Sequence, residues 1–167
     1  MDAWDQLRKL FDTDDGGLYD IRLAGLGEAS LVVAFDFIRS RASVMADALF
    51  WHTGLQKDQR VADYPDAPRL VAQGTAEPFH VLASGLEFCG AVLPDLGVFV
   101  WPDELTLDYR MGPEWDRPQL IALFELLRQL VAVAGGHVGL GRHTLPRVDA
   151  EFVGAWREYC AGCGENA

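Results

Sequence analysis

Residues 78–110 read PFHVLASGLEFCGAVLPDLGVFVWPDELTLDYR. Three turn signals, Ser84-Gly85, Pro94-Asp95-Leu96-Gly97 and Pro102-Asp103, cut this run into four strand-length pieces at 79–82, 86–93, 97–101 and 104–110. Connections this short cannot carry a parallel crossover, so the strands are expected to pair antiparallel. The last piece alternates cleanly. Leu105, Leu107, Tyr109 and Met111 point one way and Glu104, Thr106, Asp108 and Arg110 the other, as in a strand with one face on a core and one in water.

Gly112-Pro113 closes this sheet, and Asp116, followed by Pro118 and Gln119, has the make-up of a helix N-terminus. A helix over 119–134 carries Leu120, Leu123, Leu127, Leu130 and Val131 on its main stripe. Ile121, Phe124, Leu126 and Val133 widen that stripe, leaving Glu125, Arg128 and Gln129 as a narrow polar strip. A helix this apolar must be covered on most of its circumference. It is expected on the inner face of the sheet or partly against a second subunit. Gly135-Gly136 ends it.

Outward from this centre, helices are expected over 2–11, 28–41 and 150–160, and strands over 18–23, 48–51 and, at an edge, 138–140. Residues 54–68 are expected as a long exposed loop, and 69–74 fit a helical turn or a strand. The fold class is therefore α+β: a mainly antiparallel four- to six-stranded sheet with helices packed on one face. Residues 1–167 are expected to form a single globular domain whose tail, 161–167, frays.

The 167 residues carry a formal net charge of −11. A chain so acidic repels phosphate backbones and anionic membranes, so neither nucleic acid nor membrane is an expected partner, whereas a basic protein is attracted. No signal peptide is recognisable at the start and no apolar run is long enough to span a bilayer. Three cysteines make no disulfide framework, which fits a reducing, cytoplasmic setting.

Motifs for catalysis and cofactors do not survive inspection. Gly25-Leu26-Gly27-Glu28-Ala29-Ser30 lacks the third glycine and the distant acid of a dinucleotide fingerprint. Gly136 to His143 has phosphate-loop glycine spacing, but Arg142 and His143 stand where Lys and Ser or Thr are needed. Asp12, Asp14 and Asp15 do not continue into a calcium loop. Glu104 and Asp108 are separated by roughly 13 Å of strand, too far for a carboxylate dyad. Arg110 is the expected ion partner of Asp108, with Glu114 within reach if the turn folds back. No catalytic residue, cofactor or metal is expected.

What remains is a surface. Trp101 beside Asp103, Glu104 and Asp108, and Trp115 beside Glu114, combine turn aromatics with acids, the make-up of a docking site. The expectation is a non-catalytic binding protein that holds a basic partner by charge, as toxin-neutralising immunity proteins do. Two alternatives stand beside it. Cys160 and Cys163, at CxxC spacing, would serve metal binding or thiol redox chemistry. The apolar side of the 119–134 helix would build a homodimer or a larger assembly.

Overall fold

A computed structural model describes residues 2–164. The elements run α1 (Ala3–Leu7), β1 (Leu18–Ala24), α2 (Glu28–Arg41), β2 (Val44–Met45), β3 (Leu49–His52), β4 (Lys57–Arg60), α3 (Ala67–Ala72), β5 (Phe79–Ser84), β6 (Glu87–Phe88), β7 (Ala91–Val92), β8 (Leu96–Val100), β9 (Glu104–Arg110), α4 (Arg117–Ala134), β10 (His137–Leu140) and α5 (Pro146–Gly164). Short 3-10 turns follow α1 and β4.

Six strands form one sheet in the order β10-β1-β9-β8-β5-β2, every pair antiparallel. The fold is α+β, with helices on one face. The alternation of β9 survives on one side, where Leu105, Leu107 and Tyr109 are buried on the inner face beside Ile21 and Leu23 of β1 and Val98 and Val100 of β8. The other side, expected in water, holds Glu104 and Thr106 buried and only Arg110 exposed, because ion-pair and hydrogen-bond partners cover it.

α4 lies beneath this face. Asp116 caps it, accepting from the Gln119 backbone N–H at 3.4 Å. Leu120, Leu123, Leu127 and Leu130 are each no more than 1% exposed. α5 covers the polar strip of α4, and that strip is used rather than solvated. Glu125 accepts from Arg128 at 2.8 and 2.7 Å, from Gln129 Nε2 at 2.6 Å and from the Tyr159 hydroxyl at 3.0 Å. Led by the Arg128 hydrogen bonds, this set overcomes burial and holds the Glu125 carboxyl at about 2. A carboxyl depressed in the fold stabilises it above the ordinary value of 4.5 and loses that contribution as pH falls towards about 2. Urea unfolding followed from pH 7 to pH 2 is expected to show that loss. Glu125→Gln is expected to cost about 2 kcal/mol at pH 7 and to flatten the acid limb.

Several boundaries differ from the sequence reading, each for a local reason. Residues 86–93 are not a strand of the main sheet. Phe88 pairs with Ala91, and Cys89 and Gly90 both take positive φ (52° and 76°), so the run folds back as a two-residue hairpin. β5 therefore pairs directly with β8. The supposed loop 54–68 contains β4, which pairs with β3, and the start of α3, which takes up part of 69–74. β2, two residues long, extends the sheet edge. α5 runs from Pro146 to Gly164, longer at both ends than 150–160, and the tail expected to fray continues past Gly164, outside the described residues.

Trp115 is a correction of another kind. It is 2% exposed, donates its indole N–H to the Arg110 carbonyl at 2.9 Å, and packs at 5.0 Å on Phe11 and 5.2 Å on Tyr109. It is core, not surface.

Candidate functional site

The helix-free face of the sheet is built from two cross-strand rows. One row runs Arg22, Thr106, Phe99, His80 across β1, β9, β8 and β5; the next runs Asp20, Asp108, Gly97, Leu82. The polar residues of β9 thus meet partners distant in sequence. A cavity of about 430 Å³ opens here, bounded by Asp20, Arg22, Phe99, Thr106 and Asp108 of these rows, by Glu104, by Trp101-Pro102-Asp103 at the β8–β9 turn and by Arg142-His143 after β10.

Its floor is a closed ionic network. Glu104 is 5% exposed. It accepts from Arg22 Nε at 2.8 Å and from a terminal nitrogen of Arg22, from Arg142 at 3.3 Å and from the Thr106 hydroxyl at 3.2 Å. Burial alone would raise the Glu104 carboxyl, but the hydrogen bond and charge of Arg22, then those of Arg142, hold it below the ordinary range. Arg142 in turn ties the 141–145 segment to the sheet.

The other end is anionic. Asp20 stands directly across from Asp108, and like charges in register repel. Burial first, then the charges of Asp108 and Glu104, push the Asp20 carboxyl up, with His143 partly offsetting them. Asp108 pairs with His80 at 2.7 Å, not with Arg110. This bridge spans the intervening strand β8 directly over Gly97. A Cβ built at 97 would lie 2.2 Å from both His80 Nε2 and Asp108 Oδ2, so only glycine leaves the bridge its space. Along the wall, Trp101 stacks on Phe99 with centroids 4.2 Å apart and planes 11° apart, and Phe99 lies 5.7 Å from the His80 ring. Trp101 is 39% exposed.

An acid whose folded pKa is raised destabilises the fold when it ionises, so this cost grows as pH rises past the ordinary 3.8. Asp20→Asn is expected to stabilise the chain by about 0.5 kcal/mol at pH 7. The gain should vanish below pH 3.8, as read by denaturant melts at the two pH values.

Of the six residues singled out in sequence, the structure brings together four. Trp101, Asp103, Glu104 and Asp108 line the cavity. Glu114 is exposed at the opposite end of β9, and Trp115 is buried there. Sequence reasoning missed Asp20, Arg22, His80, Phe99, Thr106, Arg142 and His143. Arg142 and His143 were visible only as the wrong residues of a phosphate loop, and the others needed the strand register.

A second, apolar cavity of about 390 Å³ adjoins the first across the 141–145 segment, sharing Asp20, Arg142 and His143. Leu18 and Leu145 stand at its rim, 68% and 70% exposed. Among the described residues, no group of three or more His, Cys, Asp or Glu side chains is placed to hold a metal ion, and no helix is long and apolar enough to cross a membrane.

No protein-family model and no curated protein matches the sequence. The fold does have a counterpart. It resembles a chain in the crystal structure of the toxic C-terminal tip of CdiA from Pseudomonas aeruginosa in complex with immune protein. The TM-score is 0.51 at 18% identity, and the match covers 75% of this chain and 86% of that one. At that identity the likeness is one of fold. A Pseudomonas aeruginosa T6SS protein gives a TM-score of 0.34 at 11% identity, covering 74% of this chain and 40% of that one, and carries no argument.

Proposed function

We propose that this chain is a non-catalytic, cytoplasmic binding protein of the immunity type, which holds a basic protein partner on the helix-free face of its sheet. The carrying observation is the cavity there. Its two arginines, Arg22 and Arg142, are both engaged by Glu104. Four carboxylates line the cavity against them, with Asp20 and Asp108 forced against each other and Asp103 at the rim, so the lining is net acidic. A cationic side chain entering between Asp20 and Asp108 would relieve that repulsion. The Phe99–Trp101 stack offers a flat π surface, which suits a guanidinium better than an ammonium. The His80 bridge holds Asp108 in place for this contact. The apolar cavity past the 141–145 segment adds a place for an uncharged anchor beside the charged one, a common interface make-up. The match to a chain from a toxin–immune protein crystal structure supports the same reading.

The test is a pull-down from the source cell at low and at high salt, with wild-type chain, Trp101→Ala and Asp108→Asn as baits. The reading expects a basic protein held by the wild type at low salt, released at high salt and lost from both variants. Failure to retain any basic protein, or retention indifferent to salt and to both substitutions, overturns it.

A further inference from the structure

Two cysteines far apart in sequence, Cys89 and Cys163, lie on either side of Tyr159 in sequence and structure: one in the β6–β7 turn against its hydroxyl, the other on its own helix. Cys89, in the β6–β7 turn, places its Sγ 3.9 Å from Tyr159 Oη. Cys163 follows Tyr159 by one helical turn and so lies on the same side of α5. Glu125 also holds this hydroxyl, accepting from it at 3.0 Å.

Cys89 occupies an unusual position. A two-residue hairpin turn with both φ values positive is the province of Asn, Asp and Gly. Among the described residues, Cys89 and Gln56 alone take positive φ without being glycine. The strained turn delivers an exposed thiol to the end of α5.

We infer that Cys89 and Cys163 form a disulfide in response to hydrogen peroxide, tying the β6–β7 hairpin to the last turn of α5. The exposed Cys89 thiolate attacks one peroxide oxygen. The O–O bond breaks, hydroxide leaves and is protonated to water, and Cys89 becomes a sulfenic acid. The Cys163 thiolate then attacks that sulfur. The S–S bond forms, the S–O bond breaks, and the second hydroxide leaves as water. Two thiols and one peroxide thus give one disulfide and two waters.

The CxxC pair is the poorer couple. Neighbours three apart on a helix hold their Cβ atoms about 5–6 Å apart, wider than the roughly 4 Å a disulfide takes, so joining Cys160 to Cys163 would unwind the helix. Burial also raises the Cys160 thiol, which leaves it less of the reactive form. This inference is independent of the proposed binding function.

Cys160 and Cys163 fall in one tryptic peptide, after Arg157, so the linkage is mapped on Cys160→Ser. After peroxide, titratable thiols in the unfolded wild type are expected to fall from three to one and to return with dithiothreitol. In Cys160→Ser they should fall from two to none, with the Cys89 and Cys163 peptides cross-linked within one chain. Cys89→Ser should keep both of its thiols under the same treatment. A linkage that needs Cys160, a bond between chains, or thiol loss that dithiothreitol does not reverse would overturn the inference. Circular dichroism of each variant checks that the fold is kept.

Discussion

Trp115→Ala is expected to lower unfolding stability by about 3–5 kcal/mol, the range for truncating a fully buried aromatic side chain. The indole is 2% exposed and sits against Phe11 and Tyr109 where the start of the chain meets the far end of β9. Its removal leaves a cavity bounded by rings that cannot all collapse inward, and it strands the Arg110 carbonyl that accepted its N–H. Tyr109, whose hydroxyl donates to the Leu10 carbonyl at 2.9 Å, loses a neighbour on the same side. Chemical denaturation with tryptophan fluorescence or circular dichroism measures the change. Trp101→Ala is the contrast. That ring is partly in solvent and stacks on Phe99 alone, so its loss should cost less than about 1 kcal/mol of stability while removing partner binding. Both tryptophans stand at turns beside acidic residues in the sequence; their expected phenotypes are opposite.

Glu104→Ala is expected to cost about 3 kcal/mol at pH 7. One carboxylate satisfies Arg22, Arg142 and Thr106 at once, in a position almost closed to water. Without it the Arg22 guanidinium is left partly buried and unpaired, the situation in which breaking an ion pair is most damaging. The figure sits at the low end of that range because Arg142 remains largely open to solvent and can rehydrate. The pH dependence has a fixed sign. The Glu104 carboxyl lies below its ordinary value of 4.5 in the fold, so its stabilisation is complete above that value and lost as pH falls through the lowered one. The gap between wild type and Glu104→Ala should therefore close in acid. Denaturant midpoints at pH 7 and pH 3 read it directly, and a gap that is unchanged or wider in acid contradicts the assigned network.

What could be read from the residues followed the physics of short range. The period of two over 104–110 and the Asp116 cap gave β9 and α4, because each is decided by neighbours within a few positions. β4 was hidden because Lys57-Asp58-Gln59-Arg60 carries no apolar alternation; its strand geometry comes from pairing with β3. The 87–92 hairpin was hidden because Cys89 is an uncommon residue for its backbone conformation. The cavity was half legible. Trp101, Asp103, Glu104 and Asp108 lie in one stretch and were found together. Asp20 and Arg22 became visible only once register set them opposite Asp108 and Thr106, and register between strands more than eighty residues apart is a property of the whole sheet. His80 joined because Gly97, passed over in sequence as a turn residue, leaves room for a bridge across β8.

The central proposal is that the partner docks on the helix-free face. Hydroxyl-radical footprinting of the chain, alone and with the captured basic partner, tests this most directly. Protection is expected at Trp101, Phe99 and His80, with Ile121 and Val133 on the exposed flank of α4 unchanged. Protection of Ile121 and Val133 with Trp101 still freely oxidised would move the contact to the helical side and contradict the proposed site.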